Sequence, residues 1–320
     1  MVFFQKIKDS ILKLRKCFYY FRYEYVLIPL AYRYTSKFDI MDSMESIQYI
    51  IDHKCSVSRF GDGEFDCLLA FVDSNGKLKK KDKLPFNPNL YENPSPELSA
   101  KLFEVLNSSV NNHIVGISRN LKTVEGLIDG GKFWRYYTAS HFIKLYPLLD
   151  LHRKYLDASF TRFYYEKQNK KLSAKQIALI KQIWEDKDVV LVEGFLSRSG
   201  IGNDLYDNAR SVRRILGPSL SAFRKYDDLM LAIKTYAKKD SLIILSLGIT
   251  ATVMAYELAK MGYWAIDLGH VDIEYEWFLR GVEDREAIRG KFTNECSDGH
   301  SPEQCNDPVY LSQIVCDCSN

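Results

Sequence analysis

The sequence has almost no excess of charge of either sign. Its 320 residues carry 44 Lys and Arg against 41 Asp and Glu, a net charge of +3. Proteins that bind nucleic acid over a large surface usually show a strong basic excess, so that function class is excluded. The 17 Gly and nine Pro are too few for a collagen-like or low-complexity chain. With 46% hydrophobic residues, the chain is long enough for one large globular domain or about two smaller ones.

Long apolar runs and closely paired cysteines are also missing. No run approaches the ~18 residues that indicate a membrane-spanning helix. Seven cysteines, three of them scattered over the first 70 residues, do not resemble a secreted disulfide framework. Only Cys316 and Cys318 are close, in a CxC spacing that is unusual for zinc. Free thiols are therefore favoured, and a terminal disulfide or a structural zinc site is the alternative.

All of the excess positive charge lies in residues 1–35. This segment has seven bases and two acids, a charge of +5, so the other 285 residues sum to −2. Apolar residues recur there at steps of three and four, which predicts a basic amphipathic helix that Pro29 ends. Such a helix could lie on an anionic membrane surface, pair in a homodimer or dock on the rest of the chain. The segment lacks the apolar region of a signal peptide, so we expect a cytoplasmic protein, at the inner face of the membrane on the first alternative.

Helices and strands alternate through the rest of the chain. Continuous β-branched runs separated by helical segments of about 10–15 residues are typical of βα units around a buried parallel sheet. The predicted strands are residues 55–60, 113–118, 189–192, 242–245 and 263–268, and the predicted helices are residues 44–54, 175–185, 226–238 and 250–261. Residues 73–96, with four prolines and a lysine cluster, predict a long loop. We expect one α/β domain over residues 36–292, followed by a cysteine-containing tail over residues 293–320.

The first predicted strand runs into residues 58–65, Ser-Arg-Phe-Gly-Asp-Gly-Glu-Phe. Asp62 and Glu64 flank a glycine, so a turning backbone can bring both carboxylates to one side, which suits a hard divalent cation. Gly61 allows a tight turn and a close ligand approach, and Arg59 could pair with a phosphate. A solvated acidic turn is the alternative, and an isolated Asp-Gly-Glu pattern by itself favours it.

Two later loops follow predicted strands directly. They therefore lie at the carboxyl edge of the sheet, where open α/β folds bind ligands. Residues 193–204 place Ser197 and Arg198 among glycines, which suits a diphosphate, although the glycines could serve only for turning. Gly248 and Thr250 lie where a strand meets a helix N-terminus, whose free N–H groups favour an anion. An ordinary turn with Thr250 as N-cap explains that junction equally well.

The last predicted strand ends in a segment rich in acids. Residues 267–277 hold Asp267, Asp272, Glu274 and Glu276 together with His270. A carboxylate or a histidine at this position could act as a general base toward an incoming hydroxyl. A polar helix start, whose acids favour the N-terminal end of the helix dipole, is the alternative.

Residues 58–65 resemble the signature of bacterial glycosyltransferases with the GT-D fold. The likeness continues in order through residues 161–162, 192–194, 197–198, 202–204, 225–227, 245–252 and 269–278. The resemblance implies a Rossmann-like, mainly parallel α/β sheet flanked by helices, with residues 36–292 as the catalytic domain. It also implies transfer of a sugar, a hexose, from a nucleotide diphosphate donor such as UDP-glucose to a saccharide acceptor, in the synthesis of bacterial surface glycans or glycoproteins.

The resemblance further implies roles for the residues already singled out. In the family an Asp-x-Glu motif engages a divalent metal, which here corresponds to Asp62 and Glu64 with Mn²⁺ or Mg²⁺. The residues expected to bind the donor are Arg59, Gly61, Arg162, Ser197, Arg198, Gly248 and Thr250. One of Asp272, Glu274 and Glu276 would deprotonate the acceptor hydroxyl, and we favour Glu274.

Three residues depart from the family pattern and leave the donor sugar and the acceptor open. Phe195 and Leu196 stand where more polar residues are expected, and Ile249 where proline is common. The main alternative to an enzyme is a non-catalytic nucleotide-sugar-binding partner in a glycan assembly complex. A phosphate-ester hydrolase that uses the same acids is a third hypothesis.

Overall fold

The structure is a computed structural model that describes residues 14, 15, 17, 18, 20–71, 92–107 and 109–320. Within these residues nine strands form one sheet, in the order β1-β4-β3-β2-β8-β7-β5-β6-β9. All neighbouring strands are parallel. The strands are β1 (Asp39–Ile40), β2 (Ser56–Phe60), β3 (His113–Ile117), β4 (Lys154–Asp157), β5 (Asp188–Gly194), β6 (Ser211–Gly217), β7 (Leu242–Ser246), β8 (Trp264–Asp267) and β9 (Ile314–Asp317).

Helices cover both faces of the sheet. They are α1 (Ile28–Thr35), α2 (Ser43–His53), α3 (Asp62–Phe71), α4 (Pro96–Leu106), α5 (Asp129–His141), α6 (Ser173–Lys181), α7 (Tyr226–Tyr236), α8 (Ile249–Lys260), α9 (Val271–Arg280) and α10 (Pro308–Gln313). Along β5, Val189 and Leu191 pack on the face covered by α2, α6 and α9. Val190 and Val192 pack on the opposite face, against α7 and α8. Burial on both faces explains the continuous apolar run of this strand and confirms the predicted parallel α/β fold.

The prediction that Pro29 ends the N-terminal helix is wrong. The described residues between 14 and 22 are helical, and a π-helical turn, Tyr23–Leu27, leads directly into α1. The Ile28 N–H donates to Tyr23 O, five residues back, and Pro29 lies in the first turn of α1. The wider turn shifts the hydrogen-bonding pattern just before the residue that has no N–H, so the proline is accommodated there.

The structure describes the predicted C-terminal tail but little of the predicted long loop. Most of the predicted loop over residues 73–96 falls on residues 72–91, which lie outside the described part of the chain. Residues 293–320 add β9 to the edge of the same sheet, next to β6. All seven cysteines are free, and Cys316 Sγ and Cys318 Sγ lie 3.7 Å apart. Among the described residues, no helix is both long enough and apolar enough to cross a membrane.

Candidate active site

The residues singled out in the sequence gather at the carboxyl edge of the sheet. Strands β2 and β8 are neighbours in the middle of the sheet, and β7 and β5 follow on one side. The four acidic or glycine-rich loops begin where these four strands end. Because parallel strands end at one edge, the loops surround a single crevice, the place where open α/β sheets bind ligands.

Arg59, near the end of β2, holds three strand ends together. Its guanidinium donates to the backbone and the carboxylate of Asp267 at 2.8 and 3.0 Å. It also donates to Ala158 O at 3.1 Å and to Thr161 Oγ1 at 2.9 Å, just beyond β4. These four hydrogen bonds leave one N–H of Arg59 for a ligand. Its first role is to position Asp267.

Gly269 makes room for this contact. Its φ is +52°, a backbone conformation that residues with a side chain rarely adopt, and a Cβ there would overlap the Arg59 guanidinium. The Gly269 N–H donates to Asp267 Oδ1 at 3.1 Å, and Gly269 O accepts from Ser246 Oγ at 2.9 Å. Glycine is therefore required both for the turn after β8 and for the approach of Arg59.

Glu64 and Asp267 face each other across a threonine hydroxyl. Glu64 Oε1 and Asp267 Oδ2 each lie 3.3 Å from Thr252 Oγ1, whose shorter hydrogen bond goes to Arg59 O at 2.9 Å. Glu64 Oε2 accepts from Gly61 N at 2.8 Å and so caps the start of α3. Burial raises the pKa of Glu64 to about 7, and the negative charge of Asp267 adds to the increase.

Asp62, the other acid of the Asp-Gly-Glu segment, is exposed at the first residue of α3. In the described part of the chain, no three His, Cys, Asp or Glu side chains are assembled closely enough to form a metal site alone. Mn²⁺ and Mg²⁺ are commonly held by one or two carboxylates, with water and substrate phosphates completing the coordination. The carboxylates of Asp62 and Glu64 are hard oxygen donors that suit such a cation, and a bound cation would favour the ionised form of Glu64 against the burial that raises its pKa.

The loop after β5 is tied to the end of the chain. Arg198, at a φ of +51°, is 6% exposed and donates to the carbonyl oxygens of Gly290 and Glu303, both at 2.6 Å. Its Nε finds no hydrogen-bond partner among the described residues. Ser197 is half-buried, and its N–H donates to Gly194 O at 2.8 Å. Arg198 thus holds the C-terminal segment in place, while Ser197 stays accessible.

The loop after β7 separates its two predicted ligand residues. Gly248, at a φ of +55°, precedes α8, and a Cβ there would meet no described atom within 4 Å. Thr250 is fully buried and donates to Glu92 Oε2 at 2.8 Å. Glu92 also accepts from Phe223 N at 3.1 Å. The structure therefore leaves open space at Gly248 and turns Thr250 toward Glu92.

The acids of α9 are all buried, and two of them share one lysine. Lys291 Nζ donates to Asp272 Oδ2 at 2.7 Å and to Glu276 Oε1 at 2.9 Å. Asn203 Nδ2 donates to the same two side chains at 2.9 and 2.7 Å. The three charged groups are each less than 10% exposed. Asp272 and Glu276 thus bind α9 to the loop after β5 and to the C-terminal segment.

Glu274 has a different environment. Its Oε1 accepts from the N–H groups of Tyr164 and Tyr165, both at 2.7 Å. Its Oε2 accepts no hydrogen bond from any described group and lies 3.8 Å from Arg162 Nη1. Arg162 also binds Glu295 Oε1 at 2.6 Å. Burial raises the pKa of Glu274, and the charge of Arg162 opposes this increase.

His270 lies close enough to Glu295, Arg162, Arg59 and Asp267 for their charges to act on its imidazole. It is half-buried at the start of α9, and its Nε2 is 3.3 Å from Asn294 Nδ2. Burial lowers the pKa of His270; the negative charge of Glu295 opposes this decrease, and the positive charges of Arg162 and Arg59 add to it. The imidazole is therefore neutral near pH 7 and has a nitrogen lone pair that can accept a proton.

Sequence reasoning missed several partners that define the site. Lys291 and Glu92 are buried and Glu295 is largely buried, each in a segment without a recognisable motif, and their partners lie between 15 and 158 residues away in the chain. Their contacts could not be predicted from the sequence, because the partners lie in other segments of the chain. An isolated Lys or Glu is normally on the surface, so its burial is not expected. The predicted ligand and catalytic residues are at this edge of the sheet, but whether they act on a ligand stays a prediction.

A parallel sheet with acids and arginines along its carboxyl edge is the arrangement of the Rossmann-like α/β class, whose ligands bind at that edge. The model of the glycosyltransferase GT-D fold family matches residues 57–296. The chain therefore belongs to this family.

Relatives agree with this assignment. The chain is 36% identical to the probable glycosyl transferase Gly of Streptococcus gordonii over 277 residues, 85% of this chain and 37% of that protein. It is 33% identical to glycosyltransferase GlyD of Streptococcus pneumoniae serotype 4 over 276 residues, 85% of this chain and 31% of that protein. The chain spans about a third of the length of these two relatives. A solved structure of the domain of unknown function 1792, described as having a distinct glycosyltransferase fold, is similar with a TM-score of 0.78 at 30% identity, covering 92% of this chain and 100% of that one.

Proposed function

We propose that the chain is a metal-dependent glycosyltransferase that moves a hexose from a nucleotide diphosphate donor such as UDP-glucose to a saccharide acceptor of a bacterial surface glycan or glycoprotein. The observation that carries the proposal is the carboxylate corner, meaning the facing side chains of Glu64 and Asp267 at the carboxyl edge of the sheet, with Asp62 exposed at the first residue of the helix that carries Glu64. Membership of the family and the names of the two relatives support the reaction class.

In this proposal Asp62 and Glu64 hold Mn²⁺ or Mg²⁺, directly or through water. When bound, the cation neutralises the diphosphate and stabilises the leaving nucleoside diphosphate. Glu64 is suited to this role because its Oε1 points toward Asp267 while its Oε2 is fixed by Gly61 N. Arg59 contributes indirectly, since it keeps Asp267 oriented toward Glu64.

The donor phosphates would lie between the loops after β5 and β7. Gly248 offers open space at the N-terminus of α8, where free N–H groups favour an anion. Ser197 faces the same crevice from the end of β5, and Gly61 and Arg162 would complete the cradle. Arg198 and Thr250 would stabilise these two loops through their hydrogen bonds to Gly290 O and Glu92 Oε2.

For the acceptor proton, the contacts favour Glu274 among the three predicted acids. Asp272 and Glu276 are both hydrogen-bonded to Lys291, whereas Glu274 Oε2 accepts no hydrogen bond in the described part of the chain; Glu274 is fully buried, with Arg162 Nη1 3.8 Å from that oxygen. His270, which is neutral near pH 7, is the competing base beside it. Replacing Glu274 with Gln and, separately, His270 with Asn distinguishes the two. The variant of the true base loses turnover at every pH and keeps donor binding.

The proposal is tested with a panel of nucleotide sugars, with and without Mn²⁺, followed by donor hydrolysis and by transfer to saccharide acceptors. We expect turnover with at least one donor and only with a divalent cation. The double variant Asp62→Asn with Glu64→Gln should abolish turnover. The matched control, Asp228→Asn with Glu104→Gln, alters two exposed acids away from the crevice and should leave turnover unchanged.

Three results would contradict the proposal. Wild-type turnover in the Asp62/Glu64 double variant would show that the metal assignment is wrong. Donor binding without hydrolysis or transfer to any acceptor would instead indicate the non-catalytic nucleotide-sugar-binding partner of a glycan assembly complex. Turnover of simple phosphate monoesters without a nucleotide would indicate a hydrolase.

A further inference from the structure

The N-terminal helix, meaning the described residues between 14 and 35, presents an apolar stripe to solvent. Leu14 is 71% exposed, Phe18 70%, Phe21 57% and Tyr25 71%. Steps of four, three and four residues place these side chains on one side of a helix. Single exposed apolar residues are common on protein surfaces, but four large ones in one stripe are characteristic of an interaction site.

The opposite side of this helix is already packed on the protein. Tyr23 is 7% exposed, and its ring lies 5.6 Å from the ring of Tyr136 on α5. The Tyr136 hydroxyl donates to Glu24, and Ala31 is also buried. The docking of the helix on the rest of the chain therefore uses one side and leaves the stripe outward. The stripe needs a different partner.

The charges beside the stripe indicate which kind of partner it binds. Arg15 and Arg22 are exposed and lie along one flank of the stripe, while Glu24, the one acid among the described residues of this helix, accepts from Tyr136. The whole segment 1–35 carries a charge of +5. A second copy of the chain would bring two such basic segments together, which is unfavourable. A negatively charged surface that accepts both apolar side chains and arginines is favourable.

We propose that this helix binds the surface of an anionic lipid bilayer. It lies in the interface, with Leu14, Phe18, Phe21 and Tyr25 among the acyl chains and Arg15 and Arg22 at the headgroups. No described helix is long and apolar enough to span the bilayer, so the contact is peripheral. The family match begins at residue 57, after this helix, so the proposal does not depend on the activity of the domain.

Helix α5, on which the N-terminal helix packs, is also hydrogen-bonded to α3 at the crevice. Tyr137, next to Tyr136 on α5, donates from its hydroxyl to Asp66 Oδ2 at 2.7 Å, and Asp66 lies one helical turn after Asp62. If the proposed function holds, the bilayer would bring a lipid-borne acceptor toward the carboxylate corner.

Vesicle sedimentation of the full chain tests the proposal. We expect binding to vesicles that contain phosphatidylglycerol and at least tenfold weaker binding to vesicles of phosphatidylcholine alone. Arg15→Gln with Arg22→Gln should weaken binding to the anionic vesicles about 30-fold, because each base near such a surface contributes about 1 kcal/mol. Phe18→Ser with Phe21→Ser should remove binding to both. Donor hydrolysis measured in solution should stay unchanged in both variants, which separates this test from that of the proposed function.

The matched control replaces two exposed leucines elsewhere, Leu172→Ser with Leu231→Ser, each 62% exposed in the wild type. This control should bind vesicles as the wild type does. Equal binding of all variants to both vesicle types would overturn the proposal. Absence of vesicle binding together with a dimer that the Phe18/Phe21 variant loses, measured by sedimentation velocity, would also overturn it and assign the stripe to a second copy.

Discussion

Glu64→Gln should make the metal-free protein more stable above neutral pH while it removes activity. The substitution keeps the shape of the side chain and the acceptor for Gly61 N, and it removes the charge that faces Asp267. In the folded state burial raises the pKa of Glu64 from 4.5 to about 7. A difference of this size corresponds to about 3 kcal/mol, an upper value for the stabilisation.

The sign follows from proton binding. Between pH 4.5 and 7 the folded protein holds a proton on Glu64 that the unfolded chain has lost. The stability of the wild type therefore falls as pH rises through this range, and the contribution is fully lost above the folded-state pKa. Glutamine has no such proton, so the variant should exceed the wild type at pH 8 and equal it at pH 4.5.

Urea unfolding in EDTA, followed by tryptophan fluorescence at both pH values, measures the difference in free energy of unfolding. Asp62→Asn is the control, because Asp62 is exposed at the same helix start and its charge contributes least to the raised pKa of Glu64, so its gain at pH 8 should be much smaller. Adding Mn²⁺ at pH 8 should stabilise the wild type and not the Gln variant. An equal difference at both pH values would refute the reasoning, since it would not come from the ionisation of Glu64.

Two further substitutions test the contacts behind the site. Gly269→Ala places a Cβ against the Arg59 guanidinium at a φ of +52° and should lower both stability and turnover. Gly262→Ala is the control, because Gly262 has a φ of +79° but open space around it. This control should lower only the stability, by about 1 kcal/mol. Urea unfolding and donor hydrolysis measure the two effects, and equal losses in both variants would count against the role of Arg59. Lys291→Met leaves Asp272 and Glu276 buried without their cation and should lower the free energy of unfolding by about 3–5 kcal/mol. Lys260→Met, which breaks an exposed pair with Glu104, should lower it by less than about 1 kcal/mol, and a similar loss in both would refute the account of the buried pair.

The central strands were predictable because their burial on both faces demands continuous apolar runs. Strands β5, β7 and β8 are such runs and were found within one or two residues at most ends. Strand β6 was missed because Arg213 and Arg214 interrupt its apolar pattern. Arg214 is 2% exposed in the structure and pairs with Glu193 on the neighbouring strand. A buried ion pair between strands has no local signal in the sequence.

The location of the site was predictable for a similar reason, and its contacts were not. Loops that follow buried parallel strands must share one edge, so residues 193–204 were expected there, and residues 62–64 and 267–276, which also follow strands, lie at the same edge. Which cation pairs with each acid depends on residues such as Lys291 and Arg162, which belong to other segments of the chain. The apolar stripe of the N-terminal helix was visible as a pattern, but only the structure shows that its opposite side is the docked one.

One measurement tests most directly whether the carboxylate corner is the metal site for glycosyl transfer. Crystals grown with Mn²⁺ and UDP should give an anomalous difference map at the manganese edge with one strong peak. We expect that peak beside the carboxylates of Asp62 and Glu64, bridged to the diphosphate. A manganese peak elsewhere in the chain, or a diphosphate bound at the crevice without manganese, would contradict the account.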